Sequence, residues 1–227
     1  MPTCSGGRWR RDEAFETRER TRMSPGPTFD RIYVALKQEL ARGRFAPGDH
    51  LEPAGLGEEL NASITPVRDA LHRLVGERLV EAPRNDGFRV PAPTEAELRD
   101  LYGWNWELLD LGLRARRGAA GTLSRPPALE EPVEGDRSSA VADLFLRIAA
   151  RSGNPEHEAA VATLNDRLSP IRTVEAQLFE DLDVEVSALR SAFGAQDWSA
   201  LRRSIAAYHR RRQRSVPDLL RAARAVR

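Results

Sequence analysis

The sequence predicts a mostly α-helical chain: an N-terminal winged helix-turn-helix, with three helices and a small β-hairpin, followed by an all-helical bundle. Three observations carry that class. Residues 51–74, LEPAGLGEELNASITPVRDALHRL, read as a helix, a short turn and a second helix opening on Ser63-Ile64-Thr65-Pro66. Asn85-Asp86-Gly87 separates two short apolar runs, the signal of a tight hairpin. Beyond Pro91-Ala92-Pro93, the predicted elements are all helices.

Each element has its own local signal. Residues 1–27 are short, mixed in charge and end in Ser24-Pro25-Gly26-Pro27, so a disordered extension is expected. They contain no apolar run of the kind a secretory leader needs. Phe29, Ile32, Tyr33, Leu36 and Leu40 recur at i, i+3, i+4 spacing, which predicts an amphipathic helix over 29–41 with Thr28 as its cap and Gly43 ending it. Pro47-Gly48 makes a turn, and a second helix over 53–60 is weakened by Gly55 and Gly57. Ser63 is the expected cap of the third helix, with Pro66 in the first turn, where a missing N–H costs nothing. Val67, Leu71, Leu74 and Val75 give that helix an inward face. Residues 79–82 and 88–90 are the two arms of the expected wing. This places a first domain at 28–90, a stiff linker at 91–93 and a second domain at 94–227. Thr94 with Glu97 forms a capping box for a long helix ending near 117. Residues 118–139 are expected to be loop, or a very short helix at most. Helices are then predicted over about 139–152, 156–180, 182–194 and 197–214, the last capped by Asp197, with Pro217 interrupting the C-terminal tract beyond it.

Composition narrows the class. With 227 residues, of which 30% are charged, the chain is expected to be soluble, and no apolar run approaches the length of a membrane span. Cys4 is the single cysteine, so neither an internal disulfide nor a thiol metal cluster can form. A cytoplasmic protein is expected. Only Lys37 among the 35 basic residues is not arginine. Residues 28–93 carry nine Lys/Arg against ten Asp/Glu, although nucleic-acid-binding modules are usually basic. The excess positive charge lies at 202–227, with nine Arg against Asp218; the plain reading of that tract is a solvated helix end, the sharper one an anion or nucleic-acid contact.

The residues resemble the GntR family of bacterial transcription regulators, in its FadR-like branch with an FCD-type effector domain. Ala46-Pro47-Gly48-Asp49-His50-Leu51 is similar to the family's PGxxL turn, Ser63 to Leu71 to its SRTPVREAL signature, and Ser152-Gly153-Asn154-Pro155 to the SGNP turn of FCD domains. Glu97-Leu98-Arg99-Asp100-Leu101-Tyr102 and Gln196-Asp197 fit the same order, so the match covers about 28–215. The resemblance implies a homodimeric winged helix that binds a palindromic double-stranded DNA operator. It also implies a helical domain that binds a small acidic or apolar metabolite and shifts the two DNA heads.

Carried over by position, the DNA site comprises Ser63, Thr65, Arg68, Arg73, Arg84, Gly87 and Arg89. Arg68 suits guanine O6/N7 or phosphate, and Thr65 a phosphate or base edge. Thr65 and Pro66 also fit simple helix capping, and Arg68 an ion pair with Asp69 or Glu58. The second Arg of the signature is Ile64 here and an Arg of the preceding helix is Ala54, each loss worth about 1–3 kcal/mol for a good base contact. The family's Asp and three His metal ligands fall on Val141, Phe145, Val186 and Tyr208, so no metal and no other cofactor is expected. The candidate ligand site is therefore apolar: Trp104, Asn105, Phe145, Val186, Tyr208 and His209. His50, His72 and His157 are expected to be surface or packing residues. The alternative is a regulator fold repurposed as an enzyme or small-molecule binder, using Tyr208, His209, Asn105 and Glu107 as acid/base groups, although no nucleophile–base spacing supports catalysis. A further alternative is a regulator that acts only through heterodimers.

Overall fold

The computed structural model describes residues 27–114 and 137–226; the predicted extension, Cys4 and nearly all of the 118–139 loop lie outside them. The described elements are α1 (Pro27–Ala41), α2 (Pro53–Glu59), α3 (Ile64–Gly76), α4 (Glu95–Arg114), α5 (Arg137–Ala150), α6 (Pro155–Val174), a 3₁₀ turn (Glu175–Gln177), α7 (Leu182–Gly194), α8 (Trp198–Arg214) and α9 (Val216–Ala225).

In the head, Ile32, Leu36 and Leu40 of α1 interleave with Val67, Ala70, Leu71 and Leu74 of α3, and Leu51, Leu56, Phe88 and Val90 close the core. Each large aliphatic buried there contributes about 1.5–3 kcal/mol. Gly57 explains the tightness of the α2–α3 turn. Ala62 N–H donates to its carbonyl at 2.9 Å, and a Cβ on it would sit 2.9 Å from the Ala62 oxygen. Helix α1 begins at Pro27, so Thr28 lies inside it and is not its cap. Ser63 does hold the N-cap position of α3, yet its hydroxyl makes no capping hydrogen bond.

The expected hairpin reduces to two isolated bridges, Glu81 with Arg89 and His50 with Arg89. Glu81 and Arg89 exchange both backbone hydrogen bonds, at 2.8 and 2.9 Å. The next hydrogen-bonding pairs inward and outward would use Pro83 and Pro91, which have no N–H to donate, so the ladder cannot extend. The wing is a wing by course and not by strand.

The helical half has two cores. Leu109, Val141, Leu144, Phe145, Ile148, Leu189, Leu201, Ile205 and Tyr208 form the larger. Gly112 lets α4 meet α5 backbone to backbone, since a Cβ there would lie 2.6 Å from the Ile148 oxygen. The smaller joins Leu98 and Tyr102 of α4 to Leu168, Ile171, Leu219 and Leu220. The capping box is present: Glu97 N–H donates to Thr94 Oγ1 at 3.3 Å and Thr94 N–H to Glu97 Oε2 at 2.8 Å. Asp197 caps α8 through Ala200 N–H at 2.9 Å. Pro217 does not interrupt the C-terminal tract. It lies in the first turn of α9, where proline is tolerated, and α9 buries Val216, Leu219, Leu220 and Ala223.

Helix α1 docks on α6. Lys37, the lone lysine, reaches Asp166 at 2.7 Å across the junction and Glu77 at 2.9 Å within the head. Burial opposes its charge, but these carboxylates outweigh it and hold its pKa above the ordinary lysine value. Ser169 Oγ donates to the Ala41 carbonyl at 3.0 Å, and Gly43, at φ +70°, leaves room for Thr173.

Candidate nucleic-acid interface and the core of the helical half

Helix α3 divides along its length. Val67, Ala70, Leu71 and Leu74 face the core, while Ser63, Ile64, Thr65, Arg68 and Asp69 form an exposed edge at its N-terminal end. No acidic residue occupies the first turn. The free N–H groups and positive dipole end there favour an anion such as phosphate. Arg68 is exposed and has no ion-pair partner among the described residues, so the pairing with Asp69 or Glu58 is not made.

The seven nominated residues separate into two sets. Ser63, Thr65, Arg68, Arg84 and Gly87 are exposed, and neither arginine is tied to a carboxylate among the described residues. Gly87 at φ +66° and Asn85 at φ +62° shape the wing tip. Arg73 and Arg89 are already engaged. The Arg73 guanidinium lies 4.0 Å from the Tyr33 ring centre and 3.4 Å from Glu77, and Arg89 pairs with Glu81 at 3.0 Å. His72 packs edge-on against Phe88, and His50 is exposed beside the bridge to Arg89.

In the helical half, Asn105, Phe145, Val186, Tyr208 and His209 are all buried, and most of them stack together. Trp104 does not join them. It is 52% exposed, because one residue along a helix turns the side chain by about 100°. His209 Nδ1–H donates to the Ile205 carbonyl at 2.8 Å, so Nε2 is the acceptor of a neutral ring. Its neighbour at 2.8 Å is the Asn105 side-chain amide. Chemistry requires the amide NH₂ to face Nε2, whichever way the amide is drawn. Burial first, then the Arg172 and Arg212 charges, press the His209 pKa down to about 3. His157 is a packing residue: its Nε2–H donates to Leu108 O at 2.8 Å and its Nδ1 accepts from Ser152 at 2.9 Å.

Beside this cluster lies an ionic network that the sequence reading missed. Arg212 is fully buried and holds Glu175 bidentately at 2.6 and 3.0 Å, and Glu185 at 3.0 Å, with Tyr208 stacked under it. Arg172 donates to Asn165 at 3.1 Å, while its Nε and Nη2 and the hydroxyls of Tyr102 and Tyr208 have no hydrogen-bond partner among the described residues. The cavity among Val141, Arg172, Glu175, Val186, Tyr208 and Arg212 measures about 10 Å³, about the space of one water. One signal was available for Tyr102: with Leu98, Asn105 and Leu109 it keeps one helical register on α4.

The metal positions expected from the resemblance do not fit a metal. Val141, Phe145 and Val186 offer no ligand atom, and Tyr208 is stacked on Arg212. No group of three or more His, Cys, Asp or Glu that could hold an ion occurs among the described residues. No helix among them is long and apolar enough to cross a membrane.

Comparison with known proteins now bears on these surfaces. Residues 28–90 match the model of bacterial regulatory proteins of the gntR family. The HTH-type transcriptional repressor GlaR of Escherichia coli (strain K12) is 35% identical over 88 residues, which is 38% of this chain and 40% of that protein. The match thus spans less than half the length of that relative. The galactonate operon transcriptional repressor of the same organism is 23% identical over 175 residues, 74% of this chain and 76% of that protein. The solved structure of E. coli McbR/YncC shares the fold, with a TM-score of 0.60 at 21% identity over 84% of this chain and 97% of the other. That likeness covers the winged head and the helical half together. Residues 28–90 are therefore a helix-turn-helix domain of the gntR family of bacterial regulatory proteins.

Proposed function

We propose that the chain is a cytoplasmic, homodimeric transcription regulator that binds a double-stranded DNA operator through the N-terminal edge of α3 and the wing. The single observation that supports it most is Arg68. It is exposed and has no ion-pair partner among the described residues, one turn into a helix whose first turn carries Thr65 and no acid. Such an arginine can read guanine or hold phosphate. Arg84 on the wing adds an exposed cation without an ion-pair partner among the described residues. Trp104 and Leu111, both exposed and two turns apart on α4, supply an apolar stripe for contact with a second copy.

The metabolite-responsive part of the reading takes a particular form here. The core that the family resemblance points to is filled by Phe145, Tyr208, His209 and Arg212, so a ligand there would have to displace them. The enzyme alternative is weak on the same grounds: Glu107 is exposed and away from that core, and His209 stays neutral without being available as a base.

A retardation assay of the full chain on its own upstream DNA, at several salt concentrations, tests the proposal. Specific binding that weakens steeply with salt is expected. Absence of specific binding at every salt concentration would reject it.

A further inference from the structure

The room that the helical core lacks is found at the junction of the two halves. A cleft of about 90 Å³ opens between α1, the Pro47-Gly48 turn and the 91–93 segment on one side, and α6 and α9 on the other. Its walls are apolar, with Phe45, Leu79, Val90, Pro170 and Val174 prominent. That space is smaller than the roughly 150 Å³ cavity known to take benzene, so it suits a short aliphatic body.

Two guanidiniums line it, Arg78 from the head and Arg167 from α6. Neither has a hydrogen-bond or ion-pair partner among the described residues. Arg78 is exposed at the mouth and Arg167 half-buried; burial first, then the Arg78 charge, disfavours the Arg167 guanidinium. Of the nearby carboxylates, Asp166 binds Lys37 at 2.7 Å, while Glu97 accepts from Thr94 in the capping box and keeps a charge that favours Arg167 without forming an ion pair. Arg78 also sits at φ +60°, just past the end of α3, a backbone conformation that glycine adopts more readily. Two arginines that line one apolar cleft, neither with a hydrogen-bond or ion-pair partner among the described residues, supply the donors a carboxylate needs.

We propose that this cleft binds a short-chain monocarboxylate, its carboxylate between Arg78 and Arg167 and its chain on the apolar walls. Because the two arginines belong to different halves, the bound acid bridges the head to the helical bundle. Ligand binding there favours whichever head orientation brings the two guanidiniums together.

The test is a ligand-detected NMR titration of the full chain with butyrate, with butanol and butylamine as controls. Saturable binding of butyrate, none of butylamine, and binding about tenfold weaker in Arg167→Met and in Arg78→Gly are expected. Glycine suits φ +60°, so Arg78→Gly melts no lower than the parent and its loss of binding cannot come from unfolding. No saturable butyrate binding to the parent chain, or equal binding in both variants, overturns the proposal. The readout contains no DNA, so it stands or falls separately from the operator reading.

Discussion

In the head, Arg68 and Arg84 are exposed and meet no carboxylate among the described residues, whereas in the helical half Arg212 is enclosed and grips Glu175 and Glu185. The same residue type thus serves two ends. An exposed arginine retains its full capacity to bind phosphate or guanine. A buried one must have its charge met inside the protein, because an unpaired ion in a low-dielectric core costs several kcal/mol. The net charge of each half is therefore a poor guide to its partners. The head is slightly acidic in sum, yet Glu39, Glu59, Glu77 and Glu81 are occupied by Arg44, Lys37, Arg73 and Arg89. What remains free on the α3 edge and wing includes Arg68 and Arg84.

The largest test of this contrast is Arg212→Met. It strands Glu175 and Glu185 in the core and is expected to cost about 3–5 kcal/mol in urea unfolding. Adding Glu175→Gln and Glu185→Gln should recover most of that loss. Failure to recover would mean that Arg212 stabilises by packing alone.

A second effect comes from His209. Its folded pKa, near 3, lies below the unfolded value near 6.5, so the unfolded state binds the proton between those values. The stabilisation is complete above about pH 6.5 and is lost as the pH falls toward 3, with a slope of up to about 1.4 kcal/mol per pH unit. His209→Gln should flatten stability against pH in that window, and an unchanged slope would place the titration elsewhere.

Third, Ile64→Arg should strengthen DNA binding several-fold and steepen log K against log salt by about one. Ile64 is 45% exposed on the α3 edge, so its replacement leaves the core untouched. The smallest effect on stability is expected from Trp104→Glu, within about 0.5 kcal/mol. The same substitution should nonetheless shift sedimentation toward monomer if α4 supplies the dimer contact.

Much of the head was legible because its signals are local. The spacing of Ile32, Leu36 and Leu40 involves residues within a few positions of one another, and so does the Thr94–Glu97 box that opens the helical half. The wing was misread for a reason that lay in plain sight: Pro83 and Pro91 occupy the two donor positions that a longer ladder would need. Pro217 was likewise readable as a helix opener by the logic applied to Pro66. The ionic core was legible only in part. Arg212 shares the helical register of Leu201, Ile205 and Tyr208, unlike Arg210, Arg211 and Arg214, but its partners Glu175 and Glu185 are brought to it only by the fold. The Lys37–Asp166 ion pair across the junction, and the cleft that Arg78 and Arg167 both line, are long-range in the same sense. Trp104 and Asn105, adjacent in sequence, are both candidates for the ligand site, and helical geometry turns only Asn105 inward.

The central claim is that the exposed edge of α3 reads DNA. The most direct measurement compares the parent chain with Arg68→Ala on native upstream DNA across a salt series. The account predicts a loss of about 1–3 kcal/mol in specific affinity if Arg68 reads a base, with unfolding stability unchanged. If Arg68 holds phosphate instead, the salt slope should also become shallower by about one. Equal affinity and equal slope for the two proteins would contradict it.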